Sequence, residues 1–201
     1  MNMQEHNTTL QHAGVSEAEV SKLFRNTYSL LALTLAFSAI VAFVSMSLNL
    51  PYPGIIITLV GFYGLLFLTT KLRNSGWGLV STFAFTGFLG YTLGPILNAY
   101  LSLPNGGQLV AMALGMTALV FFGLSAYAIL SRKDFSFLSS FLTAGAFVLI
   151  GAMLLAFFMQ SSILHLAVSA GFTIFASIMI LFETSRIING GERNYIIATV
   201  G

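Results

Sequence analysis

The sequence predicts an all-α membrane protein, a multi-pass helical bundle with six spans and the beginning of a seventh. Of its 201 residues, 57% are hydrophobic and only 7% are charged, which lies outside the range of soluble globular domains. Six apolar runs approach or reach the ~20 residues that an α-helix needs to cross the hydrocarbon core. The runs lack the alternation of barrel strands, and a helix satisfies its own backbone hydrogen bonds in lipid.

The six predicted spans are separated by brief connections, as expected of a compact bundle. They cover roughly Thr27–Leu48, Gly54–Thr70, Gly78–Leu97, Leu109–Leu130, Phe137–Met159 and Ile163–Phe182. The second run is short and would need flanking residues to complete its span. Outside this bundle of residues 27–187, the sequence predicts an N-terminal tail over residues 1–26. Residues 188–201 are predicted to form a loop and the start of another span.

The basic residues predict the orientation of the bundle. All eight precede span one or follow spans two, four and six: Lys22, Arg25, Lys71, Arg73, Arg132, Lys133, Arg186 and Arg193. The loops after spans one, three and five contain no basic residue. The positive-inside rule therefore places the N-terminus, the second and fourth loops and the segment after span six in the cytoplasm.

The N-terminal tail lacks the basic start of a signal peptide, so the first apolar run is predicted to be retained as a span. Within the tail, VSEAEVSKLF begins a helix in which Ser16 and Glu19 have the spacing of a capping box. One interpretation is an amphipathic lead-in helix on the membrane surface, and the other is a docking helix for a cytoplasmic partner. The first is favoured because such helices are common at membrane borders.

The C-terminal segment YIIATVG starts an apolar run that is too short to cross a membrane. Either the natural protein continues into a seventh span, or the segment is a stub at the membrane interface. Truncation is favoured, since a stub has no evident use.

Several classes of function are not indicated. The net charge of +2 and the scattered basic residues do not indicate a nucleic-acid partner. The absence of cysteine excludes a disulfide framework, a thiol nucleophile and a cysteine metal site. No nucleophile elbow, phosphate-binding loop or HExxH motif is present, so we predict that the protein is not an enzyme. No cofactor is predicted. Whether a metal is bound stays unknown at this point, because the three histidines and six acids that could ligate one do not cluster in sequence.

Glu183 is the acid that adjoins the hydrophobic run of a span. A carboxylate at membrane depth is costly and usually faces a cavity or a partner. Because burial favours the protonated form of a carboxylate, Glu183 is a candidate pH sensor or cation ligand. The alternative is that Glu183 reaches to the cytoplasmic interface and pairs with Arg186, three residues further along the helix. The sequence leaves these two interpretations evenly balanced.

The third span contains a stripe of small residues at Gly87, Gly90 and Gly94, followed by Pro95. The spacing of Gly90 and Gly94 allows close approach of another helix, so packing is the favoured interpretation. Pro95 is expected to break the helix and free backbone groups. These must be satisfied either by neighbouring helices, which is favoured, or by a water-filled cavity on a permeation path.

Several segments together resemble the transmembrane Bax inhibitor motif family, and in particular its proteobacterial inner-membrane branch. The most specific is AFTGFLGYTLGPILNAYL (Ala84–Leu101), with the pattern GxxGxxxGPxL at Gly87, Gly90, Gly94, Pro95 and Leu97. The others are RNTYSLLALTLAFSAI, ITLVGFYGLLFLT, LSRKDFSFL, LHLAVSAGF and LFETSRIINGGERNYIIATV. The resemblance extends over nearly the whole chain from Arg25.

The resemblance implies a bundle in which six helices surround a central C-terminal seventh, most of which this sequence lacks. In one bacterial branch, described as a pH-sensitive calcium leak, an acid of the sixth helix pairs with an acid of the seventh. Glu183 occupies the sixth-helix position, and calcium would be the permeant ion. The inner-membrane branch is instead associated with restraining the degradation of membrane proteins by the FtsH protease, through its N-terminal cytoplasmic part. The resemblance thus favours a protease regulator, with a cation leak channel as the alternative.

Overall fold

The structure is a helical membrane bundle. The computed structural model describes residues 17–189 and 191–200, with side chains from residue 21 onwards, and all regular structure in these residues is helical. The helices are α1 (Glu17–Ser47), α2 (Ile55–Leu72), α3 (Gly76–Leu101), α4 (Gly106–Ser131), α5 (Leu138–Met159), α6 (Ser162–Ile188) and α7 (Tyr195–Val200). The first six include segments long and apolar enough to cross a membrane. The predicted all-α, multi-pass fold is confirmed.

Two helices extend well beyond the predicted spans. α1 begins at Glu17, so the lead-in segment forms its first turns and is not a separate element. At a rise of ~1.5 Å per residue, the 31 residues of α1 extend for ~46 Å, which exceeds the hydrocarbon thickness. α6 continues six residues past Phe182 to Ile188, which places Glu183 inside a helix and not at its end. Ser16, the predicted cap, lies outside the described residues.

Small and hydroxyl-bearing side chains occupy the interior, whereas many large apolar side chains face outwards. The side chains of Leu130 and Ile163 are 84% and 82% exposed on the surface of the bundle. Residues buried almost completely include Thr34, Ser45, Thr69, Thr82 and Ala128. In lipid the hydrophobic effect does not drive helices together, so contact depends on close backbone approach and hydrogen bonds. The exposed large side chains are therefore the lipid-facing surface.

The glycine stripe of α3 lies against α1. A methyl group at Gly90 would collide with the backbone oxygen of Ser38, and one at Gly94 would lie 2.5 Å from Ser45 Oγ. A side chain at either position would therefore force α1 and α3 apart. This contact between the two helices supports the packing interpretation of the stripe.

The helix break expected at Pro95 is absent, because α3 continues through this residue to Leu101. Proline has no N–H, so the carbonyl group four residues earlier has no helical donor. In α3 this is the carbonyl of Tyr91. The hydroxyl of Ser45 on α1 donates to this oxygen at 3.0 Å. Of the two alternatives for the freed carbonyl, a neighbouring helix is the one that the structure shows.

One end of the bundle brings together the start of α1, the α2–α3 and α4–α5 loops, the end of α6 and the start of α7. We call it the basic end, because most of the basic residues lie there. The α4–α5 loop is fixed to α6 by the hydroxyl of Ser185. This hydroxyl accepts from the Phe135 N–H at 3.0 Å and donates to the Lys133 carbonyl at 3.1 Å. Asn189 Nδ2 donates to Ser185 Oγ at 3.1 Å and orients it.

Candidate functional site

A cavity of about 310 Å³ opens near the basic end between α1, α4, α6 and α7. Each helix contributes to its wall, for example through Thr27, Phe121, Glu183 and Ala198. We call it the Glu183 cavity, because Glu183 is the one acid among its lining residues. The predicted candidate residue therefore does border a cavity inside the bundle.

The carboxylate of Glu183 is held by Arg186 on the same helix. Arg186 Nη1 donates to both carboxylate oxygens, at 3.0 Å to Oε1 and 3.1 Å to Oε2. The side chain of Glu183 is 23% exposed and that of Arg186 is 35% exposed. Glu183 thus lines a cavity and also pairs with Arg186, and its role as a pH sensor or cation ligand stays a prediction.

Arg186 also contacts two groups that the sequence analysis did not connect with it. Its Nη2 lies 3.8 Å from Oε2 of Glu192, in the turn that leads to α7. Its guanidinium carbon lies 5.6 Å from the centre of the Phe182 ring, within the range of a cation–π contact. The guanidinium therefore stands between two carboxylates and links the end of α6 to the α6–α7 turn.

The wall of the Glu183 cavity contains an unsatisfied polar group. The hydroxyl of Thr27 is buried and has no hydrogen-bond partner among the described residues. The hydroxyl of Thr199, on α7, lies 2.7 Å from the Tyr195 carbonyl oxygen and 3.5 Å from the Thr27 carbonyl oxygen, so it does not serve the Thr27 hydroxyl. A buried hydroxyl without a partner costs free energy unless water or a ligand meets it. Thr27 therefore leaves an unsatisfied polar atom beside the Glu183 cavity, although that atom is itself shielded from solvent.

A metal centre is not evident at this site. Within residues 17–189 and 191–200, no three His, Asp or Glu side chains group together as metal ligands would. Glu183 could supply one carboxylate to a cation, while the other polar groups of the wall are neutral hydroxyls. Such a donor set resembles a transient or hydrated site more than the six to eight oxygens of a resident calcium site.

Asn194 attaches the start of α7 to the α2–α3 loop. Its Oδ1 accepts from the backbone N–H groups of Ile196 and Ile197, at 3.0 Å and 3.3 Å, and so caps α7. Its Nδ2 donates to the Arg73 carbonyl at 3.1 Å and to Asn74 Oδ1 at 2.9 Å. The sequence analysis missed this role. An asparagine directly before an apolar helix is a recognised N-cap signal, but its second contact spans 120 residues.

The buried side chain of Ile196 secures α7 from the other side. It is only 2% exposed, and a methyl group at Gly78 of α3 would lie 2.8 Å from its Cδ1 atom. The predicted motif residues Gly87, Gly90, Gly94 and Pro95 do not line the Glu183 cavity. They belong to the α1–α3 contact, whereas Glu183 and Arg186 belong to the α6–α7 region.

These features define a multi-pass helical membrane protein with a cavity between its helices, lined by one carboxylate and by residues of α7. A family model described as "Inhibitor of apoptosis-promoting Bax1" matches residues 20–201. The chain therefore belongs to the Bax inhibitor family of membrane proteins, as its motifs predict.

Similar proteins occur in several proteobacteria. An uncharacterized protein of Pseudomonas aeruginosa is 65% identical over 98% of this chain and 89% of its own length. The protein named "Modulator of FtsH protease YccA" in Escherichia coli K12 is 58% identical over 94% of this chain and 86% of its own length. An uncharacterized membrane protein of Vibrio cholerae is 47% identical over 90% of this chain. No solved structure matches the chain significantly.

Proposed function

We propose that this protein is a non-enzymatic regulator in the bacterial inner membrane that binds an FtsH-type AAA protease and slows its degradation of membrane proteins. The observation that carries the proposal is the 58% identity, over 94% of this chain, to the E. coli protein named as a modulator of FtsH protease. A second E. coli relative with the same identity is named an inner membrane protein. The positive-inside rule puts the basic end, with the N-terminus, in the cytoplasm.

The length of α1 supports binding at the cytoplasmic face. Its 31 residues are more than a membrane span requires, and its first ten carry Lys22 and Arg25. The excess length would project from the basic end as a helical stalk, continuous with the bundle. The polar N-terminal sequence would then be available to the protease, while the six spans keep the regulator in the same membrane as its partner.

Co-purification and substrate turnover test this proposal together. The full chain, expressed in E. coli, is expected to co-purify with FtsH and to lengthen the half-life of a membrane substrate of the protease. Deletion of residues 1–20 should abolish both effects while leaving the chain inserted in the membrane. The Lys133→Gln variant, which alters the same end of the bundle outside residues 1–20, should retain both effects.

The outcomes distinguish three mechanisms. Absence of both effects with the full chain would refute the proposal. If the deletion variant retained both, the docking surface would lie in the bundle and not in the tail. If the full chain were itself degraded as fast as the substrate, the longer substrate half-life would be competition between two substrates and not regulation.

The Glu183 cavity favours a cation leak as a second candidate function. Its wall carries the carboxylate of Glu183 among neutral hydroxyl groups, and a hydrated cation would be attracted to that carboxylate. Efflux of calcium from proteoliposomes, compared at mildly acidic and mildly alkaline pH, tests this role. A leak whose pH dependence disappears in Glu183→Gln would support it. No flux above that of empty liposomes would eliminate it and leave Glu183 as a structural partner of Arg186.

A further inference from the structure

A second cavity lies at the basic end, outside the Glu183 cavity. It has a volume of about 370 Å³ and lies between the α2–α3 loop, the first residues of α3 and the start of α7. Arg73 and Arg193 both line it, although 119 intervening residues separate them in sequence. We call it the Arg73–Arg193 cavity. The fold thus brings two arginine residues to one concave site.

The positive charge of this cavity is not neutralised by the protein. In the part of the chain that the structure describes, Arg73 and Arg193 form no ion pair, and no acid lines the cavity. The neighbouring Glu192 is already occupied. Its Oε1 accepts from the backbone N–H groups of Arg193 and Asn194, at 2.9 Å and 2.8 Å, and its Oε2 faces Arg186.

The walls of the cavity are fixed in position. The side-chain amide of Asn194 bonds to the Arg73 carbonyl and to Asn74, which holds the α7 side against the α2–α3 loop. The cavity also adjoins the N-terminus of α3, where the Ser75 side chain makes no capping hydrogen bond. The positive end of this 26-residue helix therefore adds to the field of the two arginines.

The cavity borders the lipid-facing surface. Leu79 lines it, and the side chain of Trp77, at the same end of α3, is 69% exposed. Tryptophan is enriched where the hydrocarbon meets the headgroups, with its ring at headgroup depth. An occupant of this cavity would therefore meet charge on one side and apolar surface on the other.

We propose that the Arg73–Arg193 cavity binds the phosphate headgroup of an anionic phospholipid. Guanidinium groups form strong paired hydrogen bonds with phosphate, and basic pockets at the cytoplasmic side of membrane helices match anionic headgroups. Leu79 and Trp77 would contact the upper acyl chain. The lipid would connect the α2–α3 loop to the start of α7, and so would stabilise the docking of α7. The proposal is independent of any interaction with a protease.

The single tryptophan of the chain provides the assay. The full chain is reconstituted in phosphatidylcholine nanodiscs with a minor fraction of brominated phosphatidylglycerol or, in parallel, brominated phosphatidylcholine. Quenching of Trp77 by the two lipids gives their relative association constants. We expect phosphatidylglycerol to be favoured by about tenfold in the native chain, and the preference to fall to near one in the double variant R73Q/R193Q.

A charge-matched control isolates the cavity from the general attraction of a basic surface. The double variant K71Q/K133Q removes the same charge from the same end, outside the cavity lining, and should keep the preference. An equal loss in both double variants, or no loss in either, would overturn the proposal. So would displacement of phosphatidylglycerol by inorganic phosphate, which would identify the ligand as a soluble phosphate and not a lipid.

Discussion

The contact between α1 and α3 can be tested by adding one methyl group to it. In Gly94→Ala, the new carbon would lie 2.5 Å from Ser45 Oγ, 2.6 Å from Ser45 Cβ and 2.9 Å from the Ala42 carbonyl oxygen. All three separations are shorter than van der Waals contact. Because one of the atoms is backbone, rotation of a side chain cannot relieve the overlap, and α1 must move away from α3.

The magnitude follows from three effects. Overpacking of a well-packed contact costs about 1–3 kcal/mol. Displacement of Ser45 weakens its bond to the Tyr91 carbonyl, which adds roughly 0.6 kcal/mol, the average for hydrogen bonds between membrane helices. Replacement of glycine by alanine inside a helix acts in the opposite direction and stabilises the helix by about 1 kcal/mol. We therefore expect Gly94→Ala to lower the free energy of unfolding by about 0.5–2.5 kcal/mol.

The matched control is Gly115→Ala in α4, where a methyl group would meet nothing within 4 Å. This variant makes the same chemical change in a helix of the same bundle, so it should be neutral or slightly stabilising. Both variants are measured by equilibrium unfolding in mixed micelles with increasing denaturing detergent. Equal stabilities of the two variants would refute the assignment of the glycine stripe to the α1–α3 contact.

Three further outcomes follow from single contacts. Ser45→Ala should lower the free energy of unfolding in the same micelle assay by about 1 kcal/mol, because the Tyr91 carbonyl loses its donor while no volume is added. Asn194→Ala should speed hydrogen exchange of the α7 backbone amides, whereas Asn194→Asp, which keeps the capping oxygen, should speed it less. The backbone N–H of Ser136 donates to Asp134 at 2.8 Å and lowers the pKa of Asp134 from its ordinary 3.8. Its stabilising contribution is present above that ordinary value and is lost as pH falls through the lowered pKa, so Asp134→Asn should flatten stability against pH below about pH 4.

The sequence predicts the fold well because few backbone structures are stable in lipid. Each span must be helical and apolar, so composition and run length alone indicate the six long helices. The boundaries are less accurate where polar residues continue a helix. α6 extends through Glu183 and Arg186 to Ile188 because its backbone and side-chain contacts continue past the apolar run. Hydropathy measures contact with lipid, and it does not report where helical hydrogen bonds end.

The candidate site is only partly predictable, and sequence separation explains which parts. The Glu183–Arg186 pair follows from helical spacing, since residues three apart lie on one face. The partner of the carbonyl freed by Pro95 is Ser45, on another helix, and nothing local identifies it. Asn194 is recognisable as a cap, but its bond to the Arg73 carbonyl requires the tertiary fold.

Glu192 places the two cavities of the basic end in one structural unit. Its Oε2 faces Arg186, which holds the carboxylate of the Glu183 cavity, and its Oε1 accepts from the turn that carries Arg193. The next residue, Asn194, caps α7 and bonds to the α2–α3 loop. A displacement of Arg186 would therefore remove a contact from the turn that positions α7. The Arg73–Arg193 cavity borders the same turn, because Arg193 and Asn194 line it.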